Sequence, residues 1–85
     1  MPVKFFLISK KANRDAKKLP LNIHEKLDHA FTKLKENPLS GEKLHGALKS
    51  YYKFRVGDYR IVYRFNSKES LIIVVKIEHR QGVYK

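Results

Sequence analysis

Tyr51-Tyr52-Lys53-Phe54-Arg55-Val56-Gly57-Asp58-Tyr59-Arg60-Ile61-Val62-Tyr63-Arg64-Phe65 is a pair of alternating runs joined by Gly-Asp. That pattern predicts a β-hairpin with a two-residue loop, and Gly in the first loop position favours type II′. Counting outward from the loop fixes the register. Val56 faces Tyr59, Arg55 faces Arg60, Phe54 faces Ile61, Lys53 faces Val62 and Tyr52 faces Tyr63. Side chains alternate faces along a strand. One face therefore carries Tyr52, Phe54, Val56, Tyr59, Ile61, Tyr63 and Phe65, and reads as a core face. The other carries Lys53, Arg55, Arg60, Val62 and Arg64. Like charges directly opposite one another destabilise a strand pair, and Arg55 against Arg60 is such a placement. Two readings follow: a face that meets a polyanion, or an ordinary solvated basic face.

The whole chain is cationic. Its 85 residues hold 19 Lys+Arg against 8 Asp+Glu, a formal net charge of +11, with a pI near 10.0. A field of that sign and size favours nucleic acid, an acidic protein or an anionic surface as partner. A lysine-rich surface with no such partner would give the same totals. The length predicts a single domain over residues 1–85, near the lower limit for folding without staples. There is no cysteine, which excludes disulfides and thiolate metal sites and fits a reducing, cytoplasmic setting. No apolar run is long enough for a membrane span, and the N-terminus lacks a signal-peptide layout.

Working outward from the hairpin, residues 3–8 (Val-Lys-Phe-Phe-Leu-Ile) read as a first strand, largely buried. Ser9 offers an N-cap for a short helix to about Lys18, with Ala12, Ala16 and Leu19 on one side, and Pro20 stops it. Ile23, Leu27, Ala30, Phe31 and Leu34 recur at helical spacing and predict a second helix. Asn22 with Glu25 three residues on resembles a capping box, and Asn37-Pro38 closes the helix. Leu39–Ser50 reads as a basic loop. After the hairpin, Asn66–Ser70 makes a turn. Leu71–Ile77 is a nearly continuous apolar run, expected to be a central strand buried on both faces. The expected fold is α+β with order β-α-α-β-β-β: a two-helix hairpin packed on one face of a small, mostly antiparallel four-stranded sheet.

Few residues here can carry chemistry by themselves. No nucleophile elbow, phosphate-cradling glycine loop or zinc spacing is present, and no metal or cofactor is expected. His24 and His29 are five apart, so they do not share a helix face. His79 has the parity of Leu71, Ile73, Val75 and Ile77, which points it to the core side in a structural role. Glu78 is placed to orient a neighbouring cation. What remains is Lys53, Arg55 and Arg60, with Arg80 and Tyr84 in the tail and His45 at the rim. Cleavage of RNA by its own 2′-hydroxyl needs a base, neutralisation of the developing phosphorane charge, and a proton for the departing 5′-oxygen. Guanidinium groups suit the second need, because they grip phosphate oxygens bidentately. A tyrosine can stack on a base. Phosphate binding without chemistry is the simpler alternative.

Lys43-Leu44-His45-Gly46, the run Tyr52–Tyr63, and His79-Arg80-Gln81-Gly82-Val83-Tyr84 together resemble the RelE branch of the RelE/ParE toxin superfamily. The strand–helix–helix layout ahead of them is similar too, so the resemblance spans essentially the whole chain. It implies the toxin of a type II toxin–antitoxin system: an endoribonuclease that cuts mRNA, typically in the ribosomal A site, held inactive by an acidic, RelB-like antitoxin. On that resemblance the catalytic residues are Lys53, Arg55, Arg60, Arg80 and Tyr84. Arg60 would bind phosphate, Arg80 would be the second arginine and Tyr84 the stacking or orienting tyrosine. Lys43, His45, Lys49 and Arg64 would contact RNA. Arg55 departs from the lysine that well-known members carry there. Arginine stays protonated and is a poor base, which leaves Lys53 and His45 as candidates. A ParE-like inhibitor of DNA gyrase, and a degenerate member that only binds antitoxin, are the alternative readings.

Overall fold

In the computed structural model the described residues are 2–44, 46 and 50–79. They form β1 (Phe5–Ile8), α1 (Lys10–Lys17), α2 (Leu21–Glu36), β2 (Glu42–Lys43), β3 (Tyr51–Val56), β4 (Tyr59–Asn66) and β5 (Leu71–His79). The sheet order is β1-β5-β4-β3-β2. β1 runs parallel to β5, and every other pair is antiparallel. Both helices contribute to a core on one side of the sheet. Ala12, Ile23, Leu27, Ala30 and Leu34 meet Val56, Ile61, Tyr63, Ile72, Val74 and Ile77 there. This is the expected α+β architecture with one strand more.

The extra strand is β2, where Glu42 pairs with Lys53 and Lys43 with Tyr52. Two residues carry no period that a sequence could reveal. What places them is Tyr63, which is 0% exposed. Its hydroxyl donates to the Pro38 carbonyl at 2.7 Å and accepts the Gly41 N–H at 3.0 Å. Gly41 is required at that crossing, because a Cβ would lie 2.4 Å from the Tyr63 oxygen and 2.8 Å from the Lys53 carbonyl. Burial pushes the Tyr63 pKa up from 10.0 to about 12, against a smaller lowering by the Gly41 N–H.

Three local expectations need correction. β1 is not largely buried: Phe5 is 57% exposed, Leu7 54% and Ile8 43%. Among the described residues it is an edge strand with β5 as its one neighbour, and Phe6 reaches inward from it, 5.3 Å from the Phe31 ring. An apolar run reports strand and burial together, yet the position of the strand in the sheet decides how much is covered. The second correction concerns α2, whose N-cap is Pro20 with no side-chain cap bond, not Asn22. The Pro20 carbonyl accepts from the Ile23 N–H at 3.0 Å, so the helix starts directly after the turn. The expected N-cap of α1 does form, with Ser9 Oγ accepting the Ala12 N–H at 3.0 Å.

The third correction lies in β5. It is central, but its two faces are not equally covered: Ile72, Val74 and Ile77 are buried, whereas Leu71, Ile73, Val75 and Lys76 are half-buried. Val62 pairs with Lys76 while Tyr63 pairs with Val74, so Val75 is an extra, bulged residue. A bulge reverses parity beyond it. Leu71 and Ile73 therefore face away from the helices, while Ile77 and His79 lie on the helix side, His79 edge-on to Tyr59 at 5.1 Å. Side chains seal the bulge and the edge that β1 leaves open. Ser9 Oγ donates to the Val75 carbonyl at 2.9 Å, and Asp15 accepts the Ile77 N–H at 3.1 Å.

Candidate functional site

The hairpin register is the one expected, from Val56–Tyr59 to Tyr52–Tyr63. Gly57 has φ +60, and Asp58 is not among the positive-φ residues, which is the type II′ pattern. The whole apolar face of the hairpin packs on the helices. Its cationic face is left on the opposite, open side of the sheet.

Cross-strand pairing orders the open face into rows. Arg55, Arg60 and Glu78 form one row across β3, β4 and β5. Glu42, Lys53, Val62 and Lys76 form the next. Tyr51, Arg64 and Ile73 form a third, with the Arg64 guanidinium 5.6 Å from the Tyr51 ring centre. Val62 is 4% exposed although it is on this face. Its row neighbours are Lys53 and Lys76, whose aliphatic stems can cover it while their charges stay in water.

The opposition of Arg55 and Arg60 has an internal answer. Glu78 Oε2 accepts from Arg60 Nε at 2.6 Å, and its other oxygen lies 3.2 Å from Lys76 Nζ. Part of the like-charge cost is thereby offset within the protein, so the juxtaposition alone does not demand a polyanion. Lys53 Nζ is 3.4 Å from the exposed carboxylate of Glu42.

The structure thus gathers Lys53, Arg55 and Arg60 on one side, with Arg64 one row further along. Lys43 pairs with Tyr52, which puts it on the other side of the sheet, apart from the cluster. His45, Lys49, Arg80 and Tyr84 lie outside the described residues. Sequence reasoning passed over Lys76 and Glu42. Lys76 interrupts an apolar run and reaches the open face through the bulge, while Glu42 does so through β2. Neither step carries a local signal. Among the described residues, no three His, Asp or Glu side chains converge as metal ligands. A cavity of about 470 Å³ between Arg64, Asn66, Lys68 and Leu71 lies at the far end of β4 from Arg60.

Chemically, the open face combines guanidinium and ammonium groups over a sheet that fixes their spacing. Such a surface binds phosphate oxygens and stabilises added charge on them.

Comparison with known proteins gives a consistent result. Residues 6–84 match the family model described as ParE toxin of type II toxin–antitoxin system, parDE. The chain is 34% identical to the putative toxin RelE1 of Methanocaldococcus jannaschii, over 92% of this chain and 91% of that protein. It is 32% identical to toxin RelG of Mycobacterium tuberculosis, over 87% of each. Among solved structures it is similar to the toxin–antitoxin complex RelBE2 of Mycobacterium tuberculosis, with TM-score 0.83 and 29% identity, covering 94% of this chain and 100% of that one. An archaeal RelE–RelB complex from Pyrococcus horikoshii gives TM-score 0.80 and 25% identity, covering 95% and 98%.

Proposed function

Because this chain belongs to the ParE toxin family of type II toxin–antitoxin systems and is RelE-like, we propose that it arrests translation as an endoribonuclease acting on mRNA, with the ribosome as the setting. The observation that carries this reading is the row Arg55–Arg60 with Lys53 and Lys76 beside it, all on the open face. In the proposed reaction the substrate's 2′-oxygen attacks the adjacent phosphorus. The bond from phosphorus to the 5′-oxygen breaks, giving a 2′,3′-cyclic phosphate and a 5′-hydroxyl. Arg60 and its neighbours stabilise the charge that accumulates on the phosphorane. Lys53 or His45 takes the 2′-proton. On the strength of the family resemblance, Arg80 gives a proton to the departing 5′-oxygen and Tyr84 orients the reacting groups.

The cognate antitoxin is proposed as the partner. RelE–RelB complexes are among the similar structures, and a +11 chain favours an acidic segment laid over the cationic face. Mapping cleavage ends on a defined messenger, with and without ribosomes, tests the nuclease reading. Cyclic phosphate ends that vanish in Arg60→Ala are expected. Unchanged messenger at toxic doses would refute it. The matching family model is described as ParE, which keeps gyrase inhibition as the second reading. Lost supercoiling activity of gyrase alongside intact messenger would favour that one.

A further inference from the structure

Glu78 is an acid set among phosphate-binding cations, and its geometry gives it a purpose. We propose that Glu78 is a positioning residue: by holding Arg60 at Nε and Lys76 at Nζ, it turns the two Nη groups of Arg60 outward as a single fork for an RNA phosphate. The inference rests on the reading of the open face as the phosphate site and specifies how that site is held.

A guanidinium can present two bidentate edges, one through Nε and one Nη, the other through both Nη groups. The Glu78 carboxylate occupies Nε at 2.6 Å. Among the described residues Glu78 is the one side chain that bonds this guanidinium, so the edge formed by both Nη groups is open to a ligand. Burial separates Glu78 from a rim charge. Its side chain is 17% exposed and that of Arg60 is 21%, against 73% for Glu42 in the weaker pair with Lys53. The direction of the forces agrees. Arg55 stands directly opposite Arg60 and repels it, whereas Glu78 stands on its other side in the same row and draws it back. Lys76, 3.2 Å from the second oxygen, neutralises the acid that would otherwise repel the substrate. The three side chains keep a net charge of one positive unit, offered through Arg60.

The test is a double-mutant cycle on binding of an uncleavable 2′-O-methyl RNA, run beside cleavage of a normal messenger. In the wild-type background Arg60→Ala should weaken binding by about tenfold or more, the loss of one charge-assisted bidentate grip. In Glu78→Ala the same change should cost less than about threefold, because the fork is already lost. Glu78→Met, which keeps the stem length, is measured in parallel so that a folding defect in Ala does not decide the matter. Glu78→Gln retains an acceptor for Nε and should restore most of kcat. In Ala or Met, kcat should fall at least about thirtyfold, and KM should rise by no more than the roughly tenfold that Arg60→Ala itself costs in binding. Equal costs of Arg60→Ala in all backgrounds, or parallel losses in Gln and Met, would overturn the proposal. Coupling in a wild type that cleaves no messenger would refute the nuclease reading and leave Glu78's role standing. No binding by the wild type would refute both.

Discussion

Tyr63 joins the core to the edge of the site through one oxygen. That hydroxyl donates to Pro38 and accepts from Gly41, and the next residue, Glu42, is the partner of Lys53. Tyr63→Phe strands a carbonyl and an N–H, so unfolding in urea should show a loss of about 1–3 kcal/mol. Its pKa gives a second readout. The unfolded value is 10.0 and the folded value about 12, so above pH 10 the unfolded chain releases a proton that the folded chain keeps. Stability from this group is complete below pH 10 and declines as pH rises toward 12, by ~2–3 kcal/mol in all. The phenylalanine variant should lack that part of the alkaline slope. Gly41→Ala meets the same oxygen at 2.4 Å. It should cost about 1–3 kcal/mol by overpacking and lower the proposed RNA cleavage by displacing β2. None of this is legible locally, because a buried Tyr and a Gly twenty-two residues before it give no sign of meeting.

At the scale of elements, the hairpin and β5 carry the candidate site. Gly57 at φ +60 lets β3 return as β4 without strain. Gly57→Val should cost about 1–2 kcal/mol and loosen the Arg55–Arg60 row, seen as broadened amide resonances along β3 and β4. β5 depends on its bulge. Asp15 meets the Ile77 N–H where β1 no longer reaches, beyond the Ile8–Val74 pair. Asp15→Ala leaves that N–H unpartnered and should speed hydrogen exchange at Ile77, with about 1–3 kcal/mol lost in unfolding. The hairpin was legible because its turn and alternation are local. The bulge was not, since Val75 in a run of β-branched residues looks like any other strand residue.

For the whole molecule, the sheet divides its two faces between folding and the proposed binding surface. The helices and the apolar face form the core, and the open face carries Lys53, Arg55, Arg60 and Lys76. If these four contact phosphates, log affinity for single-stranded RNA should fall with log salt at a slope of about −3, since each contact contributes roughly −0.7. Arg60→Ala should make the slope shallower by about 0.7. A slope unchanged in that variant would remove Arg60 from the contact. β1 adds an exposed apolar strip, Phe5 and Leu7, to the other end of the same face.

The order of elements apart from β2, the hairpin register, the helix-packed face and the gathering of Lys53, Arg55 and Arg60 were decided by the sequence alone. Each follows from periodicity and turn chemistry acting over a few residues. Tertiary structure alone decided that β1 is an edge, that Glu42 arrives on a fifth strand, and that a bulge turns Lys76 onto the open face. It also decided that Glu78 grips Arg60 rather than some other cation. These depend on contacts between residues distant in the chain, and no local pattern encodes which distant partner a side chain will meet.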